Sequence, residues 1–400
     1  MRLYSTSSEE TLRARKLLAD WAAEGLLSKA QYERLEQETV SELRTTNIFL
    51  RLILFLFTLL CVAATAGLFF KVFVSRSPDQ TTGIFLLIFA VVCYVATEAA
   101  ASQAHLYRHG IEEALAVCSV AFFCLGMQLA VFSGRPYSPK PDVVQCVMPA
   151  AGVVFSLWIW RRFGLWYAFL AAMVFALFLP GYWTSSHWAQ HAIVALLYAL
   201  GLVCVIAARS GEHREDDYAG VEALLWLGIY LAMNLQLSSL NTRAQWLGVG
   251  TTPASEFPRS FYWTTWVLVW CLPGVVLARG IRRKHRLVIA SGAIVAILTF
   301  VTNKPYLGWP RHTWDPMLLG ILLTGTALFI RRWLVRGPGE IRRGFTAARL
   351  SGRDKNWMHV GSAALGLVTP QSITPAAQAK SAAFRFGGGS TGGGGAGGDF

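Results

Sequence analysis

The stretch HWAQH places His187 and His191 four residues apart. On a helix that spacing puts both imidazoles on one face. Catalytic zinc sites use three protein ligands, and His312 or Asp315 could supply the third. The zinc-protease helix also needs a glutamate beside its first histidine as the base. Residue 188 is Trp and residue 190 is Gln, so that base is missing. The expectation is therefore no metal and no cofactor.

A second chemistry fits the same residues better. Gln128, Asn234, Gln236 and Asn241 fall within or beside long apolar runs. Asn303, Lys304, His312 and Asp315 flank a connection between two such runs. Together with His187 and His191 they would line a polar cavity open to one side of a membrane. Polar and ionisable groups inside a membrane are costly, so each is a functional candidate by default. Glu98, Glu112, Glu113 and Glu222 form a separate set near the ends of apolar runs. They are expected to pair with Arg108 or to reach water.

The elements that must position these groups are membrane spans. Of the 400 residues, 54% are hydrophobic and only 15% are charged, and mean hydropathy is +0.43. Soluble domains carry about 25% charged residues. The fold class is therefore all-α, a polytopic transmembrane helix bundle. A span needs roughly 17–25 mainly apolar residues. The runs at 48–70, 82–101, 112–132, 143–160, 163–180, 189–208, 219–240, 260–278, 287–302 and 315–335 meet or approach that length, giving about ten spans. The first run lies behind a charged segment too long for the start of a cleaved signal, so it should act as an uncleaved anchor.

With the N-terminus inside, all but eight of the 36 Lys and Arg fall on the cytoplasmic side. The positive-inside rule then predicts an even number of spans and cytoplasmic termini. RGIRRKHR at 279–286 lies on one side and the arginine-free GYWTSSHW at 181–188 on the other. The net charge of +13 is explained by these loops and not by nucleic-acid binding, for which no recognised module is present. Tyr182, Trp183, Trp188, Trp246, Tyr262, Trp263, Trp266, Tyr306, Trp309 and Trp314 gather on the outer side, as an interfacial aromatic belt requires. The seven cysteines sit in apolar runs with no CxxC pair, as small core residues do. No GxSxG, Walker, kinase or Rossmann pattern occurs.

Residues 1–47 are polar and periodic. Ser7 with Glu10, and Ser28 with Gln31, fit capping boxes. Leu12, Ala14, Leu18 and Trp21 make one apolar stripe, and Tyr32, Leu35, Val40 and Leu43 make another. Gly25 suits the left-handed position that closes a helix. The expectation is a small cytoplasmic helical hairpin in which Trp21 is buried. The motif LLADWAAEGLLSKAQYERL at 17–35, followed by a polytopic region, resembles the start of an uncharacterised family of predicted bacterial membrane proteins. Those proteins open with a W-x-x-x-G-[hydrophobic]-[hydrophobic]-S-x-x-Q hairpin and continue into many spans. The resemblance implies the bacterial inner membrane and no particular substrate.

The domains expected are thus the hairpin at 1–47, a membrane domain at 48–335, a basic juxtamembrane segment at 336–356 and a flexible Gly-rich tail at 357–400. Ile341, Phe345 and Ala348 would share one face of an interfacial helix. FGGGSTGGGG has neither the lysine nor the context of a phosphate loop. The lipid bilayer is the expected partner, and the hairpin and tail are where a protein partner would dock. Three functional readings follow: non-enzymatic transport or lipid handling through a periplasm-facing cavity, a membrane scaffold or assembly factor, and a periplasm-facing, possible metal-dependent membrane enzyme. The first is favoured.

Overall fold

The computed structural model describes residues 3–4, 6–23, 25–39, 43, 46–74, 79–132, 146–209, 215–237, 257–309, 312, 314–337, 341–342 and 345–346. Most of those residues form helices, with one short β ladder and the turns between them. In chain order the helices are α1 Thr6–Ala23, α2 Lys29–Glu38, α3 Ile48–Phe69, α4 Asp79–Ser102, α5 Ile111–Phe132 and α6 Val147–Phe163. They continue with α7 Trp166–Phe178, α8 His187–Arg209, α9 Glu215–Met233, α10 Arg259–Arg283, α11 Arg286–Tyr306 and α12 Asp315–Val335. A π-helical turn, Phe70–Val74, extends α3, and a 3-10 turn, Leu179–Tyr182, extends α7.

Among the described residues seven helices are long and apolar enough to cross a membrane: α3, α4, α5, α8, α10, α11 and α12. Two shorter apolar helices run Trp166–Tyr182 and Tyr218–Met233. Their outward surfaces are apolar too. Phe57, Leu60, Leu200, Val203 and Phe329 are all more than half exposed in the isolated chain. Acyl chains are the medium that such a surface fits.

The chain divides into two compact units, residues 1–327 and 328–400. In the first, α4 packs on α5, α6 on α7, α8 on α9, and α10 on α11, with α9 also against α11 and α3 against α5. Small residues set the closest approaches, as is usual between membrane helices. A Cβ on Gly126 of α5 would lie 2.9 Å from the Gly83 carbonyl oxygen and from Leu87 of α4. Gly110, with φ +104°, brings the start of α5 against the backbone of Arg51 in α3.

The N-terminal segment departs from expectation in two places. The Ser28–Gln31 capping box is present, but α1 begins at Thr6, so Ser7 lies inside its first turn and not ahead of it. Gly25 closes α1 at φ +73°, with Gly25 N–H bonded to Ala22 O and Leu26 N–H to Trp21 O, a Schellman closure. Trp21 is not buried; it is 45% exposed. The reason is what covers α1. Helix α2 is short and polar and buries none of its residues, and it meets α1 through the Arg15–Glu36 ion pair at 2.9 Å. The apolar side of α1 turns instead to the foot of the bundle. Leu3, Tyr4 and Leu12 pack there with Tyr107, Ala116, Ile159 and Phe163.

The second unit is described over its first residues only. Ile341–Arg342 pairs antiparallel with Phe345–Thr346, so the interfacial helix expected there is not formed. Gly344 in its middle disfavours a helix by about 1 kcal/mol. The Arg342 guanidinium instead lies 4.8 Å from the centre of the Trp333 ring. The Gly-rich tail lies outside the described residues.

Replacing Gly110 with Ala should destabilise the protein by about 2–4 kcal/mol, from overpacking plus a side chain at positive φ. Gly67→Ala, where an added Cβ meets nothing within 4 Å, should be neutral or slightly stabilising. Thermal melting of the detergent-purified variants checks both, and equal melting temperatures would contradict the close α3–α5 approach.

Candidate functional site

Polar side chains collect at two opposite ends of the helices. At one end, arginines meet glutamates. Arg51 at the start of α3 forms a two-pronged pair with Glu113 at the start of α5, its Nε donating to Oε2 at 2.7 Å and its Nη2 to Oε1. Arg162 at the end of α6 grips Glu98 at the end of α4 in the same way. Arg279 near the end of α10 donates from Nε to Glu222 of α9. The Glu113 and Glu222 side chains are buried, at 5% and 0% exposure. The fork of a guanidinium matches a carboxylate in two bonds, which fixes orientation as well as charge.

Glu112 is used differently. It lies in the first turn of α5, and its Oε1 accepts the His109 backbone N–H at 2.7 Å, satisfying a donor ahead of the helix. Glu112 Oε2, His109 Nδ1 and Tyr167 Oη are buried without a hydrogen-bond partner among the described residues. Tyr4 closes this end, donating to the Leu106 carbonyl at 2.6 Å. Burial, with the Glu112 carboxylate nearby, pushes the Tyr4 phenol up, so it stays a neutral donor. The expected role of Arg108 is corrected here: it lies over the Tyr107 ring at 5.4 Å, while other arginines take the glutamates.

The other end is built from neutral groups on α8, α9, α10 and α11. Asn234 Nδ2 donates to Tyr230 Oη at 2.9 Å and to Thr302 Oγ1 at 3.0 Å. Tyr230 Oη also shares a hydrogen with Thr299 Oγ1 at 3.0 Å. Asn234 Oδ1 accepts the Gln236 backbone N–H, and Gln236 Nε2 donates to Tyr262 Oη at 3.2 Å. The Tyr262 hydroxyl donates to Tyr306 O, and the Leu235 backbone N–H to Tyr306 Oη. His191 Nδ1 lies 2.7 Å from the Ala232 carbonyl. A carbonyl only accepts, so that nitrogen carries the proton. His191, Tyr230 and Asn234 are all almost completely buried.

The sequence-predicted residues therefore divide. His191, Asn234 and Gln236 come together in this module, with His187 half-buried one turn before His191. Lys304, His312 and Asp315 form a group of their own: the Lys304 ammonium is 2.5 Å from Asp315 Oδ1, and the His312 backbone N–H donates to Oδ2. Gln128 is exposed on α5, whose neighbours are α3, α4 and α6. Asn241 lies outside the described residues. Asn303 accepts from the indoles of Trp266 and Trp270. No group of three His, Cys, Asp or Glu side chains that could hold a metal ion occurs among the described residues. The three-ligand zinc set from His187, His191 and His312 or Asp315 is accordingly not assembled.

Sequence reading missed Tyr230, Thr299 and Thr302, and it placed Tyr262 and Tyr306 in the aromatic belt, whereas their hydroxyls join this buried network. A signal was present: hydroxyls at 299, 302 and 306 repeat at steps of three and four, and Tyr230 precedes Asn234 by four. Chemically, the module offers oriented hydroxyl and amide dipoles to a polar group.

Comparison with known proteins adds no constraint: no family model, curated protein or solved structure matches the chain.

Asn234→Leu should cost about 1–3 kcal/mol by stranding buried hydroxyls. A double-mutant cycle with Thr302→Val should show a coupling of about 0.6–1.7 kcal/mol, the range for hydrogen bonds between membrane helices. Strict additivity would mean that the bond carries no stability.

Proposed function

We propose that this is a multi-pass protein of the bacterial inner membrane, with about ten spans and both termini in the cytoplasm. On this reading α8–α11 form a non-enzymatic site facing the periplasm, used in transport or lipid handling. One observation carries it: a buried cluster of His191, Tyr230, Asn234, Gln236, Tyr262 and Tyr306 on apolar helices and in the turn that follows α9. Buried polar groups in lipid are costly, and they are kept where a polar cargo or another helix must be met. The gathering of the Arg–Glu pairs at the opposite end supports the orientation.

A second reading has its own observation. Leu17, Trp21 and Leu26 are 50%, 45% and 67% exposed on the N-terminal segment. An outward apolar stripe on a polar helix pair favours a scaffold that docks a protein there. A photo-crosslinker at Leu17 should then give one discrete adduct in cells, and a diffuse smear would count against docking.

Two measurements test the main reading. Single cysteines at Gln103 and Ser390 should react only from the cytoplasm, and one at Ser185 only from the periplasm. A periplasmic Ser390 would reject the even span count. Mass spectrometry of protein extracted with its native lipids should find a polar solute or lipid species that falls at least about tenfold in His191→Phe, about 1.4 kcal/mol of binding. Identical contents at equal melting temperature would sink the assignment of α8–α11 as the site.

A further inference from the structure

The charged end holds a feature that the ion pairs do not use. Between α9 and α10 runs a cleft of about 570 Å³ lined by Trp226, Val275, Ala278, Arg279, Arg282 and Arg283. Its construction follows from helical spacing. Glu222 and Trp226 are four apart on α9, and Val275, Arg279 and Arg282 step along one face of α10 at intervals of four and three. Eight residues separate Val275 from Arg283, so the cleft runs along about 12 Å of α10. Val275 and Ala278 give it an apolar stretch open to the outside, and Arg282 and Arg283, also exposed, lie nearer the end of α10.

Two donors in this cleft lack acceptors. Trp226 Nε1 and Arg279 Nη2 are shielded from solvent, and neither has a hydrogen-bond partner among the described residues. Arg279 spends Nε on Glu222, which neutralises one positive charge. Among the lining residues Arg282 and Arg283 add two further positive charges. Indole and guanidinium nitrogens are donors only. A buried donor without an acceptor is destabilising. The ligand that would satisfy them has several acceptor oxygens and a negative charge. A phosphate group has both, and guanidinium forks match its geometry.

The geometry points to a phosphate-binding cleft between α9 and α10, in which Arg282 and Arg283 hold the charge of a phosphate and the Trp226 and Arg279 side chains, whose Nε1 and Nη2 are covered in this structure, turn to hydrogen-bond its oxyanion. The phosphate belongs to an anionic phospholipid headgroup or to free phosphate. The exposed apolar stretch at Val275 and Ala278 gives an acyl chain somewhere to lie. This site is independent of the α8–α11 hydroxyl network, and neither assignment needs the other.

The test uses the full-length chain in detergent, titrated with phosphatidylglycerol or phosphatidylcholine and read by native mass spectrometry. Wild type should bind phosphatidylglycerol about tenfold more tightly than phosphatidylcholine, a difference of 1.4 kcal/mol. Arg282→Gln with Arg283→Gln should bring the two lipids within about twofold, while the same change at Arg331 and Arg332 should leave the preference intact. Trp226→Phe, which removes the indole donor, should weaken phosphatidylglycerol about three- to tenfold, as expected for one hydrogen bond to a charged group. Inorganic phosphate identifies the source: competition at millimolar concentration marks free phosphate as a ligand of the cleft, and indifference to it alongside the lipid preference marks the headgroup. Equal binding of the two lipids with no phosphate binding would overturn the proposal. So would an equal loss in the Arg331/Arg332 control, since that reports diffuse surface charge. If Trp226→Phe fails to fold, the exposed arginine pair decides the matter alone.

Discussion

Charge neutralisation between helices is the constraint on which the rest of this bundle depends. A carboxylate within apolar helices cannot stay ionised without a partner. Glu98, Glu113 and Glu222 each meet an arginine on another helix, Arg162, Arg51 and Arg279. Each pairing fixes which helix ends are neighbours: the starts of α3 and α5, the ends of α4 and α6, and the start of α9 with the end of α10. Hydrophobic packing between lipid-bathed helices is weakly directional, because acyl chains are as apolar as leucine. The ion pairs supply the direction that packing lacks.

The opposite end solves the same problem without charge. Backbone carbonyls at Met233, Tyr306 and Ala232 accept from side chains, and hydroxyls link Tyr230, Thr299 and Thr302 across α9 and α11. Helix α9 leaves its last carbonyls without internal donors, as every helix does. Tyr306 meets one of these carbonyls by donating to Met233 O, and its oxygen also accepts from the Leu235 N–H just past the helix. Neutral groups of this kind are less costly to rearrange than ion pairs. An end built from them can exchange one partner for another, and an end built from buried salt bridges is more firmly held.

The helices were legible in the sequence because hydropathy and length are local properties. The apolar run read at 143–160 is helix Val147–Phe163, and the run at 163–180 is Trp166–Phe178 with its 3-10 extension. The pairings were not legible. Arg51 and Glu113 are 62 residues apart, and Arg279 and Glu222 are 57 apart, so charge alone made the nearer Arg108 look like a partner. Trp21 shows the same limit. Periodicity says that one face of α1 is apolar, but it says nothing of which surface covers that face. Polar candidates were found where amides and imidazoles stood out, as with His191, Asn234 and Gln236. Threonine and tyrosine hydroxyls were passed over because both residues also fit an apolar run.

How the N-terminal segment is held follows from both constraints together. Its attachments are to helix termini: Leu3 N–H donates to the Arg162 carbonyl, and Tyr4 to the Leu106 carbonyl in the α4–α5 turn. Both acceptors lie where helices have run out of their own donors. Arg162 is also the residue that grips Glu98. One residue thus closes α4 against α6 through its side chain and receives the N-terminal segment through its backbone. Loosening the Arg162–Glu98 pair would shift that carbonyl and with it the seat of Tyr4. The polar segment at the front of the chain is therefore coupled to the charged end of the bundle, and its exposed face, with Leu17 and Trp21, is presented from a base set by that ion pair.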